Sequence, residues 1–534
     1  MSVNEYRVFG PPGTGKTTRA KRDIEQAVDK HGSDGVLVCS FTRAAAINIA
    51  SRDLTVDRDN VGTLHAICHR KLQRPALAEL HAHEFNEKHP DMAVSVKTGK
   101  SAIDDGMDAP TSQHSGDQWH ADYQIKRAKM IPKELWPIQT QRFAKFWHDW
   151  KVKQNYLDFT DLIENSLEYI KTAPGEPRVM FIDEAQDFNA LQFALVRQWA
   201  EEMEFVVFYG DDDQAIFTFS GASADNLLGE GCSDENKIYL KQSYRLPRAV
   251  HEHASTWITQ CSRREEKEFK PRKEEGLVRA MSKTVTYKNP DRVINEIEDN
   301  LDAGRTVMVL ATCGYMLQGT CTLLKEQGIP FHNPYRKTNG AWNPLRRSEG
   351  STLNRLAAFL GTDHMFPTWT AEQLNLWVPL VKSDGILKRG AKTQIKELAE
   401  ADPHRKLGTQ DWMMFFERDP WGFEPISLEW LQENAVGSKA DSLAYPARVI
   451  ERYGSEALDQ PAVTVGTIHS VKGGEADVVY LFPDMSPKAM REYVRSVEGR
   501  DAAIRAFYVG MTRARQELVL PRPSSPLSVN LGGS

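Results

Sequence analysis

The sequence predicts an α/β fold in which parallel sheets are flanked by helices, and three observations support this prediction. A glycine-rich loop at residues 10–17 separates a short apolar stretch from a helical one. Two further apolar stretches, 179–182 and 205–209, lead into acidic residues, the first directly and the second after Gly210. The chain has 534 residues, of which 40% are hydrophobic and 26% charged, so it is long enough for several domains. Short continuous apolar runs are typical of buried parallel strands.

The loop at residues 10–17 reads GPPGTGKT and fits the phosphate-binding pattern G-x-x-x-x-G-K-[ST]. We expect a strand at 6–9 before it and a helix at 18–28 after it. Glycines let backbone N–H groups turn toward phosphate oxygens, and a helix N-terminus attracts negative charge. Lys16 should reach the β- and γ-phosphates, and the Thr17 hydroxyl should ligate Mg²⁺. The residues predicted to hold the nucleotide here are Gly10, Pro11, Pro12, Gly13, Thr14, Gly15, Lys16, Thr17 and Thr18.

A second signal is the apolar stretch VMFI at 179–182, which ends in Asp183 and Glu184. Beside a phosphate-binding loop, the first acid would hold Mg²⁺ through water, and the second would orient and deprotonate an attacking water. The alternative is a solvated acidic strand end. Gln214, which follows the stretch 205–209, is placed to sense the γ-phosphate.

The composition indicates the cellular compartment and the classes of binding partner. The net charge is −6, from 67 basic and 73 acidic residues, and an acidic total still permits nucleic-acid binding through a local basic track. Six cysteines without a C-x-x-C pair indicate reduced thiols of a cytoplasmic protein. We expect no membrane partner, because no apolar run is long enough to span a bilayer. We expect no signal peptide, because the strand before the phosphate-binding loop begins almost at once.

Eight motifs occur in a fixed order along the chain: the phosphate-binding loop, SFTRAAA, GTLHAICHR, DEAQD, GDDDQAIFTFSGA, QSYRLP and, near the end, TIHSVKGGEAD and FYVGMTRAR. This order resembles the superfamily one helicases of the UvrD/Rep/PcrA branch. The resemblance covers the chain from residue 7 to about 520, apart from two insertions. It implies two RecA-like P-loop NTPase motor cores, each with a mainly helical insertion.

The resemblance also implies domain limits. The first motor core would comprise 1–71 and 173–248, with a helical insertion at 72–172. The second would comprise 249–335 and 445–520, with an insertion at 336–444. The tail at 521–534 is rich in Pro, Ser and Gly and is predicted to be disordered.

Further roles at the nucleotide follow from the same resemblance. The second core would supply Arg245 and Arg513, which would meet the charge that develops on the γ-phosphoryl group, a role that suits a guanidinium. Tyr244 would stack on adenine, and Glu475 would accept from the ribose hydroxyl. Relatives carry a glutamine motif before the loop, but residues 1–9 hold no Gln, so the choice between ATP and other nucleoside triphosphates stays open.

The predicted nucleic-acid contacts combine aromatic rings that stack on bases with polar groups that meet phosphates. They are Phe41, Thr42, Arg43, Thr63, His65, Phe217, Phe219 and His469. Phe219 stands where relatives usually carry Trp, and Ser220 replaces a common arginine.

The resulting hypothesis is an ATP- and Mg²⁺-dependent DNA helicase or single-strand translocase, with 3′-to-5′ polarity implied by the family. It would act in replication, repair or recombination on single-stranded DNA and on junctions of single- and double-stranded DNA. The alternative is a DNA-end-sensing or recruiting ATPase of a repair or phage-defence complex, without processive unwinding. An RNA helicase is a third reading, and a protein partner is left open.

Overall fold

The computed structural model describes residues 4–41, 56–96, 114–229, 232–282, 284–336, 342–360, 369–417 and 427–532. The chain forms two compact units. The first unit comprises Met1–Val278 and Pro487–Gln516, and the second comprises Arg279–Ser486 and Glu517–Ser534.

The strands and helices below are numbered in chain order over the described residues. The strands are β1 (Glu5–Phe9), β2 (Val36–Ser40), β3 (Val61–Thr63), β4 (Val179–Asp183), β5 (Phe205–Gly210), β6 (Lys237–Tyr239), β7 (Leu277–Ala280), β8 (Val307–Ala311), β9 (Phe331–His332), β10 (Val463–Thr467), β11 (Ala476–Leu481) and β12 (Ala514–Leu520). The helices are α1 (Lys16–His31), α2 (Leu64–Lys71), α3 (Ala82–Lys88), α4 (Asp117–Ala128), α5 (Ile138–Gln154), α6 (Phe159–Tyr169), α7 (Ala190–Ala200), α8 (Ala224–Leu228), α9 (Arg248–Ile258), α10 (Asp291–Asp302), α11 (Gln318–Glu326), α12 (Thr352–Leu360), α13 (Ala371–Trp377), α14 (Ala391–Ala401), α15 (Thr409–Phe415), α16 (Leu428–Glu433), α17 (Gly437–Tyr453), α18 (Pro487–Arg495) and α19 (Val497–Met511).

The first sheet has six strands in the order β3-β2-β4-β5-β1-β6, and all of its pairs are parallel. Phe9 lies opposite Gly210, and Ser40 lies opposite Asp183. The carboxyl ends of these strands therefore meet at one edge of the sheet. Loops that leave this edge carry the phosphate-binding pattern and both acidic motifs, which is the usual place for a ligand in such a sheet.

The second sheet also has six strands, in the order β7-β12-β11-β8-β10-β9. Strand β8 pairs in parallel with β10 and β11, and β10 pairs in parallel with β9. The predicted α/β class with two parallel sheets is confirmed.

Helices fill the described parts of both predicted insertions. In the region 72–172, α3, α4 and α5 pack around a buried aromatic cluster that contains Phe85, Phe143 and Trp147. Beside it, the guanidinium of Arg127 and the ammonium of Lys151 share the fully buried carboxylate of Asp158, which explains how charge is tolerated there. In the region 336–444, buried tryptophans from α13, α15 and the segment before α13 form the centre of the core.

Helices α9 and α19 lie almost wholly within the limits predicted for the second motor core, but their contacts place them in the first unit. Helix α9 packs on α19, where the Trp257 indole N–H donates to the Ile504 carbonyl at 2.8 Å. The Ser262 N–H also donates to the Asp501 carboxylate at 3.0 Å. The compact units therefore divide the chain differently from the predicted domain limits, with residues 249–278 and 487–516 in the first unit.

The tail predicted to be disordered is ordered through residue 532. Val529 and Leu531 are buried, at 6% and 5% exposure. The Ser524 N–H donates to the Asp484 carboxylate at 2.9 Å, and the Met485 N–H donates to the Leu527 carbonyl at 2.7 Å. The composition suggested disorder, but two apolar side chains and a buried acid are sufficient to fix this segment on the second unit.

In the part of the chain that the structure describes, no helix combines the length and the apolar character needed to cross a membrane.

Candidate functional site

The loop at residues 10–15 joins β1 to α1. Gly13 and Gly15 adopt positive φ angles of 72° and 78°, a backbone region that favours glycine. A Cβ atom on Gly13 would lie only 2.4 Å from the Cβ of Arg245, so the loop also needs glycine for space. The first turn of α1 holds no acidic residue, which leaves its field free to attract an anion.

Lys16 meets the two acids at the end of β4, Asp183 in the strand and Glu184 just after it, at the edge of the first sheet. The Lys16 ammonium lies 3.0 Å from a carboxylate oxygen of Glu184. Burial alone would lower the pKa of Lys16, but Glu184, Asp183 and Asp211 outweigh it and hold that pKa above its usual value. Lys16 therefore stays cationic. Glu184 follows the strand with a φ of +53°, an uncommon conformation that is often associated with functional sites.

Gln186 is a site residue that sequence reasoning missed. Its buried amide N–H donates to the Glu184 carboxylate, and its amide oxygen accepts from the Asp211 N–H at 3.1 Å. It thereby ties the end of β4 to the end of β5. The feature of the sequence that could have identified Gln186 is that it is a neutral amide among the acids of the DEAQD motif.

Gln214 lies in the turn after β5 and is held on both sides. Its amide N–H donates to the Asp211 carboxylate at 2.7 Å, and its amide oxygen accepts from the Arg513 guanidinium at 3.2 Å. Arg513 is buried and also donates to the Val509 carbonyl at 2.9 Å. The two residues predicted from motifs about 300 positions apart in the chain are therefore in direct contact.

Tyr244 and Arg245 lie against the phosphate-binding loop. The Tyr244 N–H donates to the Gly13 carbonyl at 2.8 Å, while its side chain is 72% exposed near Gly15. That ring is available to stack on a base. Ser243, which sequence reasoning did not single out, anchors the segment because its buried hydroxyl donates to the Pro12 carbonyl at 2.8 Å.

This arrangement suits phosphoryl chemistry. Positive charge comes from Lys16 at the end of the loop, from Arg245 beside Gly13 and from Arg513 at Gln214. Glu184 is a carboxylate able to accept a proton. The exposed Thr17 hydroxyl and the buried Asp183 carboxylate are hard oxygen ligands of the kind that Mg²⁺ takes beside nucleotide phosphates. When bound, Mg²⁺ would neutralise charge on the β- and γ-phosphate oxygens.

Two predicted contact residues lie in the second unit: Glu475, predicted to bind the nucleotide, and His469, predicted to contact nucleic acid. Glu475 is exposed in the turn before β11. His469 is partly buried and opens the short 3-10 turn His469–Val471. Their predicted roles stay predictions.

Three of the residues predicted to contact nucleic acid form a row of aromatic rings in the first unit, here called the aromatic row: Phe41, Phe217 and Phe219. The ring centroids of Phe41 and Phe217 are 5.1 Å apart, and those of Phe217 and Phe219 are 5.6 Å apart. All three rings are partly exposed, so they offer a surface on which bases can stack.

Of the other residues predicted to contact nucleic acid, two make contacts with neighbouring residues and two lie outside the described part of the chain. The Thr63 hydroxyl caps α2 by accepting from the Ala66 N–H at 3.2 Å, and the His65 ring meets the Phe159 ring edge-on at 6.2 Å. Thr42 and Arg43 lie outside the described residues.

Comparison with known proteins finds two family matches. The model described as the UvrD/REP helicase N-terminal domain matches residues 3–231, and the model described as the UvrD-like helicase C-terminal domain matches residues 449–523. Together they match more than half of the chain, and they confirm the predicted resemblance.

Curated relatives agree with these matches. Proteins named "Probable DNA helicase II homolog" from Rickettsia felis and Rickettsia conorii are each 25% identical to this chain, over 96% of it and 89% of their own length. The protein named "ATP-dependent DNA helicase PcrA" from Staphylococcus aureus is 24% identical over 62% of this chain and 48% of its own length.

Proposed function

The chain belongs to the UvrD-like helicase family, and from this premise we propose that it hydrolyses ATP to move 3′ to 5′ along single-stranded DNA and to unwind the duplex ahead. Its two parallel sheets are the RecA-like motor cores of that family. The proposed substrates are single strands and junctions of single- and double-stranded DNA, with ATP and Mg²⁺ as the nucleotide and the ion.

One observation carries the proposal: the predicted hydrolysis groups make direct contacts at the carboxyl edge of the first sheet. Lys16 and Glu184 are in contact, Gln214 and Arg513 are in contact, and the backbone of Tyr244 is bonded to Gly13. Arginines that meet the transferred phosphoryl group are worth about 10³–10⁵ in rate in other nucleotide hydrolases. Arg245 lies beside Gly13 of the loop, and Arg513 contacts Gln214. Two arginines in these positions support hydrolysis rather than nucleotide storage.

The aromatic row supports the nucleic-acid half of the proposal. Stacking contributes about 1–3 kcal/mol per base, and separating a DNA base pair costs about 1.4 kcal/mol per step. Stacking can therefore retain a freed base, but it cannot open many pairs in succession. Repeated nucleotide hydrolysis must supply the remainder.

Hydrolysis is tested by measuring ATPase activity with single-stranded DNA, with RNA and without polymer. We expect strong stimulation by DNA and its loss in Lys16→Ala and Glu184→Gln. Lys30→Ala and Glu204→Gln are matched controls, because these residues pair with each other on the surface at 3.2 Å. Equal hydrolysis with and without polymer would contradict the proposal.

Polarity and unwinding need a second assay. Displacement of a labelled strand from duplexes with a 3′ or a 5′ single-stranded tail should require the 3′ tail. Displacement from the 5′-tailed duplex alone would overturn the polarity. DNA-stimulated hydrolysis without displacement would favour the recruiting ATPase instead.

A further inference from the structure

The segment at residues 263–270, RREEKEFK, follows α9 and contains six charged residues before its phenylalanine. Such a run is expected to lie in solvent. Lys267 at its centre is nevertheless only 2% exposed. A buried lysine needs partners of opposite charge, and the first sheet supplies them.

The Lys267 ammonium lies among three consecutive carboxylates of the turn after β5. It is 3.3 Å from Asp211, 3.0 Å from Asp213 and in hydrogen-bond contact with Asp212. Arg264 holds Asp213 through two parallel hydrogen bonds, of 2.9 and 2.7 Å. Each of the three carboxylates is at most 1% exposed.

This cluster leads directly to the site. Asp211 accepts from Gln214 at 2.7 Å through one oxygen, while its other oxygen faces Lys267. Gln214 in turn meets Arg513. A chain of polar contacts therefore runs from Lys267 to Arg513, and the orientation of the Gln214 amide depends on a carboxylate that Lys267 holds in place.

The C-terminal end of the segment 263–270 is hydrogen-bonded to the stretch that carries Arg245. The Ser243 N–H donates to the Lys270 carbonyl at 2.8 Å, and the Lys270 N–H donates to the Lys241 carbonyl at 2.8 Å. Ser243 is bonded to the phosphate-binding loop at Pro12 and lies two residues before Arg245. The segment 263–270 therefore connects the turn that carries Gln214 with the strand-like stretch that carries Arg245.

We propose that the segment 263–270 is a positioning element for the groups that face the γ-phosphate, and that Lys267 is its central positioning residue, acting on Gln214 through Asp211. The ion pairs of Lys267 are with the three aspartates of the turn after β5, so its role is to hold geometry rather than to react. The inference rests on the proposed nucleotide hydrolysis, but it is independent of strand movement and polarity.

The test compares Lys267→Met and Lys267→Arg with the parent chain in polymer-free ATP hydrolysis. A misplacement of about 1 Å at a reacting centre costs on the order of 100-fold in rate. We expect Lys267→Met to lower kcat by about 10- to 100-fold while KM changes by less than about twofold, and Lys267→Arg to recover part of the loss. The ratio of affinities for Mg·ADP·aluminium fluoride and Mg·ADP should fall in parallel with kcat.

Lys126→Met is the matched control. Lys126 is a partly buried lysine of α4 that pairs with Asp122 at 3.6 Å, and neither residue belongs to the segment 263–270 or to the turn after β5. It should retain both kcat and the affinity ratio. An unchanged kcat in Lys267→Met, or an equal fall of kcat and of thermal stability in both lysine variants, would overturn the positioning role.

A second variant covers the case in which Lys267→Met does not fold. Arg264→Gln removes only the two bonds to Asp213, at a side chain that is 17% exposed. It should lower kcat about threefold with KM unchanged, and an unchanged kcat would overturn the inference. A parent chain that hydrolyses ATP without DNA stimulation would contradict the helicase proposal and leave this test valid.

Discussion

At the scale of single residues, the site depends on neutral amides that hold charged groups. Gln186 donates to Glu184 and accepts from Asp211, and Gln214 donates to Asp211 and accepts from Arg513. An amide can satisfy a donor and an acceptor together without adding charge to a crowded carboxylate cluster. Asp211 is therefore the residue on which both amides converge.

The role of Gln186 can be tested by two substitutions. Gln186→Ala leaves the buried Asp211 N–H without its acceptor, so we expect a loss of about 1–3 kcal/mol in the free energy of unfolding and a reduced kcat. Gln186→Glu places a second carboxylate beside Glu184, which should raise the pKa of Glu184 and move the acid limb of the kcat–pH profile to higher pH. Urea unfolding and pH-dependent ATP hydrolysis measure these effects. An unshifted profile in Gln186→Glu would contradict the assigned contact.

Asp212 predicts a pH dependence of stability. Burial raises the pKa of this carboxyl to about 6; Lys267 opposes the shift, and Asp213 and Asp211 add to it. The folded chain then holds this proton more tightly than the unfolded chain. The contribution of Asp212 to stability is therefore greatest below its unfolded pKa near 4 and is lost as the pH rises through about 6.

The measurement is the free energy of unfolding in urea from pH 4.5 to 7.5 for the parent chain and for Asp212→Asn. The parent should lose about 2 kcal/mol relative to the variant over this range. Asp234→Asn, at a carboxylate that is 95% exposed, is the control and should show no such trend above pH 5. A parent chain that gains stability relative to Asp212→Asn as the pH rises would contradict the assignment.

At the scale of elements, the aromatic row is the part of the proposed strand path that the structure describes most directly. Phe219 ends the row and is partly exposed. Phe219→Ala should weaken single-stranded DNA binding by about 1–3 kcal/mol, and Phe219→Trp should tighten it because a larger ring covers more of a base.

Fluorescence anisotropy with a labelled oligonucleotide measures both changes. Tyr169→Ala removes an aromatic ring that is 68% exposed at the end of α6 and should leave affinity unchanged. If the parent chain, Phe219→Ala and Phe219→Trp bound the oligonucleotide with equal affinity, the aromatic row would not contact the bound DNA strand.

The elements also show how far sequence reasoning reaches. Strands β1, β4 and β5 were predictable because each is a short apolar run before a polar loop, and the helix predicted at 18–28 is observed as Lys16–His31. Strand β6 was not predicted because it has three half-buried residues, and only its pairing with β1 defines it.

The candidate site was predictable to the same extent. Lys16, Asp183, Glu184, Gln214, Arg245 and Arg513 are conspicuous as motif residues, and the structure gathers them in one unit. The burial of Lys267 could not be predicted, because its partners lie more than 50 positions earlier and its own neighbours are charged. Local composition suggested disorder in the tail for the same reason: it does not show which distant surface a segment meets.

At the scale of the whole molecule, the first unit is assembled from two separate parts of the chain. Helix α19 covers α9, and it carries the chain to Arg513. A fragment of residues 1–278 lacks both α19 and Arg513. We expect this fragment to bind a hydrophobic dye and to bind nucleotide weakly, because buried apolar side chains such as Trp257 lose their cover.

A fusion that joins residues 487–516 to residue 278 through a flexible linker of about 20 residues should restore folding and nucleotide binding. Dye fluorescence, circular dichroism and binding of a fluorescent ADP analogue distinguish the fragment from the fusion. A fragment that folds and binds nucleotide as well as the fusion would contradict the division into units.

The split of the first unit has a consequence for its synthesis. Roughly 200 residues separate Val278 from Pro487, and a ribosome needs about 10–40 s to add them. During that interval the nascent chain already contains the phosphate-binding loop, while the surface that receives α19 is bare. Exposed apolar surface of this kind is what chaperones bind, and the first unit is complete only after Arg513 has been added.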